Sequence, residues 1–60
     1  MRSIDAYLTE YAQGIVRRWD DRDARRYLRE CVRLWRSEYG PEVAEKCAMN
    51  IAQMFKEQKR

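Results

Sequence analysis

Apolar side chains recur at spacings of three and four along almost the whole chain, and the phase of that repeat breaks twice. A repeat of this period puts its members on one stripe of an α-helix, so a break in phase forces the chain to turn. The first stripe reads Ile4, Tyr7, Leu8, Tyr11, Ala12, Ile15 and Trp19. If the same helix ran on through Asp20 and Asp21, the next apolar set, opening at Ala24, would fall about 160 to 200° away at 100° per residue. One straight helix cannot bury both. The chain therefore bends at the aspartates, where Asp20 or Asp21 can cap a new helix and Asp23 adds negative charge to its first turn.

The second stripe is Ala24, Tyr27, Leu28, Cys31, Val32, Trp35 and Tyr39, and it stops at Gly40 and Pro41. Glycine suits the left-handed position just past a helix end, and proline cannot continue that helix but readily begins the next. The third face is Val43, Ala44, Cys47, Ala48, Ile51, Met54 and Phe55, widened by Met49 and Ala52. Glu42 and Glu45 fall early in this segment and Lys56, Lys59 and Arg60 late, each sign where the helix dipole favours it. With Ser3 as the N-cap of the first segment, the expectation is an all-α, three-helix domain, with helices near Ile4–Trp19, Asp21–Tyr39 and Pro41–Lys56. The turn between the last two is so short that they form an antiparallel hairpin, with the first helix packed across it. No strand pattern, linker or repeat interrupts this reading.

Sixty residues hold one domain, spanning 1–60. A chain this short buries only about 60% of the surface its unfolded form exposes, so many such chains lean on disulfides, a metal or a second copy of themselves. Two cysteines and no histidine do not make a structural zinc site, which takes four such ligands. Cys31 and Cys47 lie within apolar faces and read as small buried hydrophobes. A homodimeric bundle is then the expected supplement. Val16, Leu34 and Met49 stand off the stripes and add apolar surface, and Ala44, Ala48 and Ala52, with Ile51 and Phe55 beside them, form a ridge that another helix can approach closely. That helix is either the second of this chain or one from a symmetry mate. The stretch from Met1 to Tyr11 lacks the apolar run of a signal peptide, and no segment approaches the eighteen or so apolar residues of a membrane span, so a cytoplasmic, membrane-free protein is expected.

Arg22, Arg25, Arg26, Arg29, Arg33 and Arg36 also recur at spacings of three and four, within about 100° of one another and on the side away from the apolar stripe. The segment from Arg17 to Tyr39 has eight basic and five acidic residues and so carries the whole net charge of +3. Like charges at these spacings cost a helix about 0.2–0.5 kcal/mol per pair, with i, i+4 relief available from Asp21 to Arg25 and from Arg26 to Glu30. Three uses compete for the row: a solvated face, a contact with an acidic protein, and a contact with nucleic-acid phosphates. The planar guanidinium pairs bidentately with carboxylates and with phosphates, so the preference for arginine over lysine here suits either ligand.

A DNA-reading helix would be expected to carry more base-reading side chains than Lys46, Asn50 and Gln53, and ten acidic residues would crowd a phosphate backbone. No histidine, no glycine-rich loop and no activated nucleophile is present to support catalysis, so neither an enzyme nor a cofactor is expected. The expected role is a small adaptor or inhibitor that binds a larger protein through the arginine face, of the kind small accessory genes of bacteria and phages often encode. That comparison is one of style and carries no motif. The alternative is a DNA- or RNA-binding regulator using the same arginines.

Overall fold

The structure, a computed structural model, describes residues 3–58. Three helices account for nearly all of them: α1 (Ile4–Arg18), α2 (Asp21–Tyr39) and α3 (Pro41–Gln58), with no strand among the described residues. Lys59 and Arg60 of the expected basic end lie outside the described residues. The bend between α1 and α2 forms as the aspartates require. Asp20 is the N-cap of α2, and its carboxylate accepts a hydrogen bond from the Arg22 backbone N–H at 3.3 Å. Ser3 occupies the N-cap position of α1 with extended backbone, yet its side chain makes no capping bond. The Ser3 side chain is instead the largest influence holding the Asp5 carboxyl below the usual carboxylate range, with Lys46 adding to it.

The junction of α2 and α3 departs from the expected left-handed cap in one respect. Gly40 has φ 102° as anticipated, but ψ is 159°, far from the helical value near +45°. The cause is Pro41. A residue before proline is pushed to extended ψ, while the end of α2 demands positive φ, and the two together define a region that glycine alone adopts readily. The Gly40 N–H still donates to the Arg36 carbonyl at 3.1 Å, closing the last turn of α2.

The core draws on all three helices: Leu8, Ala12 and Val16 from α1, Ala24, Leu28, Cys31 and Trp35 from α2, and Ala44, Cys47, Ile51 and Phe55 from α3. No polar or charged residue is buried with them among the described residues. Both cysteines are free and buried, and burial is the main cause raising both thiols above their ordinary pKa, so they stay neutral as small apolar side chains. α3 packs against both other helices, while α1 meets α2 over a shorter stretch.

Helix α1 corrects the expected stripe. Val16, expected off it, is only 5% exposed, whereas Tyr7 is 61% exposed and Ile4, Tyr11 and Trp19 are also largely open. The row turned inward is Leu8, Ala12, Val16, because α1 is docked chiefly on α3. Asn50 donates from its side-chain amide to the Thr9 hydroxyl at 3.1 Å, Gln58 to the Val16 carbonyl at 3.5 Å, and Lys46 pairs with Asp5 at 3.4 Å. The aromatic members of the stripe are left on the flank toward α2. There Tyr11 meets Trp35 edge-on at 6.4 Å, Trp19 lies against Tyr27 at 4.8 Å, and the Tyr11 and Tyr27 hydroxyls are 2.6 Å apart. Such rings bury one edge while the polar tip stays wet. Leu34 and Met49 are exposed, as their positions off the stripes require.

Candidate binding groove

The arginine row stands only partly opposite the core. On a helix turning 100° per residue, Arg25 and Arg36 stand about 60–80° from the buried Leu28, Arg29, Arg22 and Arg33 about 100–140°, and Arg26 about 160°. The near members therefore border the seam where α2 meets α3. That seam opens outward as a groove of about 390 Å³, within the range of ligand clefts. One wall is Arg25, Arg29, Arg33 and Arg36 above Leu28 and Val32, and the other is Ala48, Ile51, Ala52 and Phe55. No residue of α1 lines it.

Two sets of residues that are separate in the sequence thus meet. Four of the six arginines face four members of the α3 ridge, while Ala44 is wholly buried in the core and Arg22 and Arg26 stand elsewhere. Ile51 and Phe55 are consumed largely by the core of their own chain, Ala48 is half-buried and Ala52 is exposed. The core of the chain therefore takes one end of the alanine ridge, and the other end stays open. Arg22 and Arg26 line a wider and more open depression of about 620 Å³ with Asp20, Asp21, Arg25 and Arg29. Its carboxylates offset part of the positive charge there.

The arginines differ in how far they are committed. Arg25 pairs through Nε with Asp21 at 3.3 Å and lies over the Phe55 ring, 4.5 Å from its centroid. Its guanidinium thus roofs one end of the groove. The relief expected from Glu30 to Arg26 does not form as an ion pair. Among the described residues Arg29, Arg33 and Arg36 have no carboxylate within ion-pair distance either, so three exposed guanidiniums stand unpaired along an apolar floor.

The groove's floor residues Leu28 and Val32 were legible only as core positions. The signal that exposes them as lining is angular: arginines at 60–80° from a buried leucine flank the core instead of opposing it. Among the described residues no group of three or more acidic or cysteine side chains gathers to hold a metal, and no helix is long and apolar enough to cross a membrane. The chain matches no family model, no curated protein and no solved structure.

Proposed function

We propose that this protein is a small cytoplasmic adaptor or inhibitor that works by binding an acidic surface of a larger protein, without enzymatic activity of its own. The observation that carries this reading is the placement of Arg29, Arg33 and Arg36, unpaired, along an apolar groove. Phosphate backbones are bound through charge and hydrogen bonds and draw little from an apolar floor, whereas protein contacts combine a desolvated apolar centre with charged groups at the rim. Arginine is suited to that rim because its fork pairs bidentately with carboxylates and its weakly hydrated plane tolerates partial burial.

Affinity capture with the intact chain, with and without nuclease, tests the class of partner. A nuclease-resistant acidic protein, identified by mass spectrometry and lost when Arg29, Arg33 and Arg36 are replaced by glutamate, is the expected result. Partners that vanish with nuclease overturn it in favour of a DNA- or RNA-binding regulator. Self-association belongs to the same proposal: exposed Tyr7, Trp19, Leu34 and Met49 are more apolar surface than a chain of this size comfortably leaves in water. Sedimentation equilibrium at micromolar concentration decides it, a monomer mass removing the dimer from the proposal.

A further inference from the structure

We infer that the α2–α3 groove receives a single amphipathic α-helix of the partner, with aliphatic side chains along one stripe and aspartates or glutamates along the flank beside it. This rests on the protein-binding reading above and names what part of the partner docks.

The groove favours a helix over an extended peptide. Both walls are helices whose backbone groups are already paired within themselves, so they offer no edge for strand addition. An extended peptide would bring its own N–H groups over Leu28, Val32, Ile51 and Phe55, where the arginines are donors and offer them no acceptor. A helix arrives with its backbone satisfied. Ala48 and Ala52 form a low far wall, which lets the axis of an incoming helix come close, as small side chains do at helix crossings generally.

Charge and spacing point the same way. Arg25, Arg29, Arg33 and Arg36 climb the near wall in steps of three and four residues, each about 4.5–6 Å along α2. Carboxylates at i, i+4 and i+7 on a helix lying alongside recur at the same rise. The wall from Arg25 to Arg36 is about 16 Å long, enough for three turns of a partner helix. The arginines stand on one wall only, so the acidic flank and the apolar stripe of the partner have one relative hand. A second copy of this chain is the poorer match: its whole net charge of +3 lies between Arg17 and Tyr39, and the inward rows of its three helices are already buried.

The test is titration of the isotope-labelled full chain, followed by heteronuclear NMR, with a synthetic helical peptide of about 18 residues carrying leucines at i, i+3 and i+7 and glutamates on one flank. A scramble of the same composition is the control. The expected result is shifting of the Val32, Ala48 and Ala52 amides, with the scramble bound at least about tenfold more weakly. Ala52→Trp, which fills the groove and keeps every arginine, should weaken binding by a similar factor. Arg22→Glu with Arg26→Glu should change affinity less than about threefold at physiological salt, because those two lie outside the groove.

Equal binding of the scramble, with shifts along all six arginines and none at Ala48 or Ala52, overturns the groove and leaves the acidic-partner reading intact. Failure of both peptides to bind while an acidic protein is still captured through the arginines does the same. Shifts at Ala48 and Ala52 that grow with the chain's own concentration assign the groove to a second copy and overturn the inference. A DNA duplex that binds more tightly than the peptide overturns both readings. Because Ala52 is exposed, its substitution is checked by melting, and the mapping on the unsubstituted chain stands independently of it.

Discussion

The two glycines of this chain should respond to the same substitution with opposite signs. Gly14 lies within α1, on the side away from the Leu8, Ala12, Val16 row, and a Cβ added there meets no atom within 4 Å. Alanine at that position should raise stability by about 0.5–1 kcal/mol, the helix-propensity difference between the two residues. Gly40 also has open space where a Cβ would stand, so sterics with neighbours do not protect it. Its φ of 102° does. With ψ held near extended by Pro41, alanine there should cost about 1–3 kcal/mol. For a domain of this size 1 kcal/mol moves the melting temperature by about 4–8 °C. Thermal unfolding followed by far-ultraviolet circular dichroism should therefore show Gly14→Ala melting about 2–8 °C higher and Gly40→Ala at least about 4 °C lower. Far-ultraviolet spectra of both variants should stay helical. Should both variants move in the same direction, or should Gly40→Ala melt with the wild type, the account of the α2–α3 junction as a conformation reserved for glycine is refuted.

Val16→Ala should destabilise by about 1.5–3 kcal/mol and Leu34→Ala by no more than about 0.5, in urea titrations, although both are off-stripe aliphatic positions. Arg25→Ala should cost about 1 kcal/mol through loss of its contact with Phe55 and its pair with Asp21, whereas Arg29→Ala should be neutral in the same titration. The Tyr27 hydroxyl is held neutral well above its ordinary value of 10.0, first by its hydrogen bond to Tyr11 and then by Cys31. The folded chain thus retains a proton that the unfolded chain releases, so this contribution is complete below pH 10 and declines as pH rises beyond it. Melting curves between neutral pH and pH 11 should show that decline reduced in Tyr11→Phe. Neither reductant nor chelator should change the melting temperature, since both thiols are free and buried; a drop with either would reveal a crosslink or a metal.

The element boundaries were legible because local chemistry sets them. The phase reversal across Asp20 and the glycine-proline pair at 40 and 41 act within a few residues and leave no other place to turn. The buried cysteines were legible for a similar reason, each lying amid one helix's apolar face. The rotation of α1 was not. Its apolar positions span a wide arc, and which part of the arc turns inward depends on α3, some forty residues away in sequence, where Cys47 and Asn50 reach Asp5 and Thr9. The groove was hidden for the same physical reason: it belongs to the seam between two helices, and neither helix contains it alone. Arg25 shows the difference most sharply, since along α2 it is one charge in a row and only α3 supplies the ring beneath it.

The connections between the helices are very short, Trp19 and Asp20 in one case and Gly40 in the other. Little chain must be closed to bring α2 onto α3, so the hairpin can assemble almost as a local event. Helical domains of this topology belong among the fast folders, completing the transition in microseconds to milliseconds. The contacts of α1 with α3 span the largest separation along the chain and bear the larger loop-closure entropy. Opening of α1 exposes Leu8, Ala12 and Val16 yet leaves both walls of the groove in place, because no residue of α1 lines it.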